Sequence, residues 1–172
     1  GRVALQNSSS ASNNVAVGGG ALSSVTTGGS NIGIGTNALQ SVTSGSQNVA
    51  VGQDALLSAN VANGNNVALG NTAGNTITTG TSNTFLGFNS DASGVALTNA
   101  AAIGANALVG ASNSLVLGGT GANSVNVGIG TTSPMALLAI TGSGTGLSKL
   151  AAFTDSIGEN IFTVLDNGNV GA

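Results

Sequence analysis

Proton transfer, nucleophilic attack and transition-metal binding draw on imidazole, thiol or clustered carboxylate groups. This sequence of 172 residues has no His, Cys or Tyr. Its acids are Asp54, Asp91, Asp155, Glu159 and Asp166, and its bases are Arg2 and Lys149. Asp155 and Glu159 border an expected turn, where a pair of acids could in principle cleave a glycosidic bond. In a stretch with so little other charge they read as solvating groups. Asp166, Asn167 and Asn169 could offer hard oxygens to Ca²⁺, but the Asp-rich nonapeptide of calcium-binding β-rolls is absent. Asp54 stands two residues after a recurring Gly, the place held elsewhere by Asn37, Asn89 and Asn106, and so reads as a turn residue. Gly-x-Gly pairs such as Gly33-Ile-Gly35 and Gly128-Ile-Gly130 are not followed by the helix that a phosphate-binding loop needs. The expectation is a protein that is not an enzyme, with no catalytic residue, no cofactor and no metal.

Composition narrows the class further. Charged residues make up 4% of the chain, against roughly 25% in an ordinary soluble domain. A formal net charge of −3 leaves no basic face for nucleic-acid phosphates. Disorder is disfavoured because 41% of residues are apolar. These are mostly Ala, Val, Ile and Leu, with only four Phe, so the core should be thin. Every apolar run is broken within a few residues by Gly, Ser, Asn or Thr, so no segment reads as a signal peptide or membrane span. The chain starts and stops within its own pattern, as a fragment of a longer polypeptide would.

That pattern is a pentapeptide closed by Gly. It begins at Asn14, Asn31, Asn48, Asn66, Asn83, Ala100, Ser114 and Ser124, with successive separations of 17, 17, 18, 17, 17, 14 and 10 residues. One coil of a parallel β-solenoid per repeat fits this period. The coil corners are assigned to Gly18, Gly35, Gly52, Gly70, Gly87, Gly104, Gly118 and Gly128, since Gly alone tolerates positive φ at little cost. The bulkier positions of each strand alternate with small ones. The bulky set Val17, Ile34, Val51, Leu69, Leu86, Ile103 and Leu117 is therefore expected to form the core ladder. The middle set Ala16, Gly33, Ala50, Ala68, Phe85, Ala102 and Val116 is expected to point outward, either keeping a solvent-facing sheet flat or, as the exposed apolar Phe85 and Val116 favour, packing against neighbouring chains. On this reading Glu at Ala50 and Ala68 breaks association, and Asp at Val51 unfolds a coil. The recurring Ala21-Leu22, Ala38-Leu39, Ala55-Leu56 and Ala107-Leu108 belong to the return leg. Thr26, Thr43 and Thr78 share a register that an ice-binding array would use, but Asn60 and Val95 interrupt it.

The units Asn48-Val-Ala-Val-Gly52 with Gln53-Asp-Ala55, and Ala102-Ile-Gly104 through Gly118, resemble head repeats of trimeric autotransporter adhesins over about residues 12–130. The resemblance implies three chains in a left-handed parallel β-roll, although the family's repeats are shorter than 17 residues. Residues 125–172, with Val127-Gly-Ile-Gly-Thr-Thr-Ser-Pro134 and Leu137-Leu-Ala-Ile-Thr-Gly142, are similar to segments of phage tail fibres and large bacterial surface fibres. Two strands around a turn at residues 158–160 and a second turn at 166–169 are expected there. Asn169-Val-Gly171 echoes Asn126-Val-Gly128.

The whole reads as all-β: a solenoid of 14–18-residue coils over residues 1–130, then a connector over 131–172 that contains a β-hairpin. The expected role is a structural or adhesive segment of an extracellular, cell-surface or phage fibre. Its expected partners are copies of itself in a homotrimer, and a host-surface, matrix or glycan ligand. Nucleic acid and membrane are not among them. A self-polymerising filament subunit and a monomeric ice- or glycan-binding solenoid stand as alternatives.

Overall fold

The computed structural model describes residues 1–59, 64–142, 149–154, 160–165 and 170–171. The chain is all-β. Its strands are β1 (Val15–Val17), β2 (Ile32–Ile34), β3 (Val49–Val51), β4 (Val67–Leu69), β5 (Thr84–Leu86), β6 (Asp91–Ala92), β7 (Ala101–Ile103), β8 (Leu108–Val109), β9 (Leu115–Leu117), β10 (Val127–Ile129), β11 (Leu138–Ile140), β12 (Lys149–Thr154), β13 (Asn160–Leu165) and β14 (Val170–Gly171). A short 3₁₀ turn, Gly121–Asn123, lies between β9 and β10.

Seven of these strands stack as one parallel sheet in the order β1-β2-β3-β4-β5-β7-β9. Pairing keeps the repeat in register throughout: Ala16 lies beside Gly33, Gly33 beside Ala50, Ala50 beside Ala68, Ala68 beside Phe85, Phe85 beside Ala102, and Ala102 beside Val116. This is the expected solenoid. Seven strands at ~4.8 Å spacing span roughly 29 Å. The corner glycines behave as anticipated from Gly18 to Gly118. Gly52, for example, has φ +136°, and a Cβ on it would overlap the Gly70 carbonyl of the next coil. Gly128 is the exception, lying inside β10 opposite Ala139.

Which side of the strand faces inward is the reverse of the sequence expectation. The middle residues Ala50, Ala68, Phe85 and Ala102 are fully buried, Gly33 is buried, and Ala16 and Val116 pack partly against the core. The bulky set faces out: Val17, Ile34, Val51, Leu69, Leu86 and Leu117 are exposed and Ile103 is half-buried. The reason is the width of the coil. Leu22, Leu39 and Leu56 of the return leg are fully buried and fill the interior from the opposite side. A Cβ on Gly33 would already meet Leu22 Cγ at 3.3 Å and the Ala38 carbonyl at 3.2 Å. Where the return leg carries Leu, only a small side chain fits between the legs, so Val, Ile and Leu go outside.

The Asn that opens the first five pentapeptides lies on that same inward face, two residues before the middle residue. Asn31, Asn48, Asn66 and Asn83 are fully buried. They form a ladder in which each side-chain oxygen accepts from the backbone N–H of the next coil: Asn31 N–H to Asn14 Oδ1 at 2.8 Å, Asn48 to Asn31 at 3.0 Å, Asn66 to Asn48 at 3.1 Å, Asn83 to Asn66 at 3.0 Å. Asn66 Nδ2 also donates to the Gly80 carbonyl at 3.0 Å across the coil. Among the described residues no buried side-chain nitrogen or oxygen lacks a partner. The ladder ends where Ala100 N–H donates to Asn83 Oδ1. Asn66→Ala strips the acceptor from Asn83 and the donor from Gly80, and should lower stability by about 2–3 kcal/mol, measurable as a fall in urea midpoint.

The solenoid unit runs from Gly1 to Ser124 and a second unit from Val125 to Ala172. The division precedes the expected 130/131 boundary because Val127–Ile129 pairs with Leu138–Ile140 and not with β9. In the second unit β12 and β13 form the expected antiparallel hairpin, and β14 adds antiparallel to β13. Val127–Gly128 and Val170–Gly171 therefore sit in unlike pairings, one parallel and one antiparallel.

Candidate interaction surface

Two of the five acids, Asp54 and Asp91, lie among the described residues, and both are hydrogen-bonded within the solenoid. Asp54 holds the left-handed turn position expected for it, with φ +56° beside Asn37 at +57°. Its carboxylate accepts from Asn37 Nδ2 at 3.0 Å and Gln53 Nε2 at 3.1 Å. Asp91 accepts from Thr76 Oγ1 at 2.7 Å and from the backbone N–H groups of Thr76 and Ala92. Both carboxylates thus serve to fasten coils. Asp155, Glu159, Asp166, Asn167 and Asn169 lie outside the described residues, as do the two expected turns apart from Asn160. Among the described residues no three His, Cys, Asp or Glu side chains cluster as a metal site would require. No described helix is long and apolar enough to cross a membrane.

What the fold does assemble is a surface. Because the pleat sends the bulky positions outward, two parallel rows run along the solenoid. One row follows Val15, Ile32, Val49, Val67, Thr84, Ala101 and Leu115; the other follows Val17, Ile34, Val51, Leu69, Leu86, Ile103 and Leu117. Val17 is 55% exposed, Val15 47% and Leu115 60%. No charge falls on either row, and Thr84 brings the one hydroxyl. The stripe is an extended apolar surface, with Val15, Val17, Ile32, Ile34, Val51, Leu69, Leu86, Leu115 and Leu117 all exposed along it. Contiguous exposure of this kind marks an association site more often than a free surface.

The other sequence candidates are placed as follows. The middle set proposed as an inter-chain face lies inside the coil, and the set proposed as the core forms the second row of the stripe. The Ala-Leu motif splits: Leu22, Leu39 and Leu56 are core residues, whereas Leu108 is 54% exposed and Val109 takes the inward place. The Thr register is not a free hydroxyl array, since Thr26 Oγ1 donates to the Thr43 carbonyl at 3.1 Å and Val95 interrupts the row. The Asn ladder was missed as a buried feature. Its signal was the recurrence of Asn at 14, 31, 48, 66 and 83, each two residues before the middle of a strand.

Scans against family models, curated proteins and solved structures return no match to the chain.

Proposed function

We propose that this chain is a structural or adhesive segment of an extracellular fibre, working as a homotrimer whose copies meet through the aliphatic stripe. The uncharged double row of Val, Ile and Leu on the outside of the solenoid carries the reading. Such a surface is costly in water and loses little by meeting its own kind, because neither side has charges to desolvate. A rod of stacked coils suits reach and stiffness, with the contact surface left to the remaining faces. Host-surface, matrix and glycan ligands are the partners in view, at a cell surface or on a phage fibre.

A second reading, the self-polymerising filament, draws on the edges of the sheet. Among the described residues β1 and β9 each pair on one side only, and open strand edges invite further strands. Light scattering over a range of concentrations separates the readings. A stable mass of three chains is the expected result. Long polymers would favour the filament, and a persistent monomer would overturn both in favour of a single-chain ligand-binding solenoid.

A further inference from the structure

Asn65, Asn99 and Asn113 stand at one register of the solenoid, immediately before the residue that opens a pentapeptide. All three are exposed and hold a left-handed backbone, with φ +65°, +53° and +58°. An Asn side chain is open to attack by the backbone nitrogen of the next residue when that nitrogen is free to leave its peptide plane and approach Cγ. What separates the three is what holds that nitrogen. Asn66 N–H donates to Asn48 Oδ1 at 3.1 Å, and Ala100 N–H to Asn83 Oδ1 at 2.9 Å. Ser114 N–H has no acceptor among the described residues. The coil beside it carries Ala100 where earlier coils carry Asn, so the rung that would hold it is missing. Its own hydroxyl is turned away, with Ser114 Oγ donating to the Ser112 carbonyl at 3.3 Å. Asn14 N–H, which follows Asn13, also lacks a described acceptor, but the Asn14 side chain crowds that nitrogen more than a serine does.

We propose that Asn113-Ser114 is a self-modification site, at which the chain deamidates without any partner. The Ser114 backbone nitrogen bonds to Asn113 Cγ and closes a five-membered succinimide. The side-chain nitrogen leaves as ammonia, taking the proton that the backbone nitrogen loses. Water then opens the ring at either carbonyl, leaving Asp or isoaspartate at position 113. No charged residue lies between Asp91 and Lys149, so the new carboxylate is the first charge in that stretch. The isoaspartyl product also adds a methylene to the main chain just before β9. Asn113 N–H donates to the Thr98 carbonyl at 3.0 Å, and the Ser114 carbonyl accepts from Ala101 N–H at 2.8 Å. The extra atom falls between these two bonds, so the reaction loosens the last coil while the Asn ladder shields the inner ones.

The test follows deamidation site by site by mass spectrometry in the full chain at mildly alkaline pH, with the same chain in urea as reference for each local sequence. Folding should slow Asn65 and Asn99 about tenfold more than Asn113, the factor that one held N–H contributes. Equal protection at the three sites, or greater protection at Asn113, overturns the proposal. Ala100→Asn supplies the missing acceptor. Its amide also has a partner, as Asn66 and Asn83 donate from Nδ2 to the Asn of the preceding coil at 3.2 and 3.1 Å. In this variant Asn113 should slow to the range of Asn99, and an unchanged rate in a chain folded by circular dichroism overturns the proposal as well. Should the variant not fold, the ratios in the unsubstituted chain still decide.

Discussion

Glu in place of Ala50 should prevent the solenoid from folding, whereas Glu in place of its neighbour Val51 should leave the fold intact and weaken association. Ala50 is fully buried between coils, and no described base lies in the solenoid beyond Arg2 to compensate a carboxylate there. A buried unpaired charge costs several kcal/mol after relaxation, comparable with the 5–15 kcal/mol that holds a typical domain together. The larger side chain adds a second penalty, because Ala50 lies in a narrow core that the fully buried Leu39 and Leu56 already fill. Val51 is 36% exposed and its side chain points away from the coil, so a carboxylate there stays hydrated. Circular dichroism with thermal melting reads the first effect, and native mass reads the second. Loss of secondary structure in the Val51 variant, with a folded Ala50 variant, would restore the opposite orientation of the strand.

The strand, its period and its corners are legible in the sequence, because each depends on local chemistry. Gly at every corner answers a positive φ, and the alternation within Asn48-Val-Ala-Val-Gly52 demands a two-sided strand. The direction of the alternation is not local. Bulk normally marks the inward face, but that rule assumes an interior wide enough to receive it. Here the return leg brings Leu22, Leu39 and Leu56 into the same space, and their contribution becomes visible only when the coil is closed. The ladder of buried Asn follows the same logic. Asn is usually exposed, and it is tolerated inside because stacked coils supply each amide with a partner above and across. The surface candidate was legible as a set of residues, but it was assigned to the wrong side. The segment from Val127 to Pro134 was legible as a motif, but its lack of buried residues is a property of three dimensions.

Exchanging size between Gly74 and Phe85 should cost less than removing the Phe85 ring alone. The register that places Leu22 against Gly33 runs on to set Leu39 with Ala50, Leu56 with Ala68 and Gly74 with Phe85, partners eleven or twelve positions apart. Where the return leg carries Leu, the strand carries Gly or Ala; where the return leg carries Gly, the strand carries Phe. A Cβ on Gly74 would lie 2.7 Å from Phe85 Cδ2 and 2.9 Å from Leu56 Cδ2, so the ring occupies the volume that a leucine fills elsewhere. Phe85→Ala should cost about 3–5 kcal/mol through the cavity it leaves. Gly74→Leu should cost about 2–4 kcal/mol through overpacking and the left-handed backbone at φ +66°. That backbone is not itself prohibitive, since Leu22, Leu39 and Leu56 sit at φ +51°, +55° and +49°. The double variant rebuilds the Leu-with-Ala pair of the earlier coils and should be more stable than Phe85→Ala alone, with a coupling energy of at least about 2 kcal/mol in a urea-unfolding cycle. Additive losses would mean that the two positions do not share one volume, and the size-exchange account of this narrow core would fall with them.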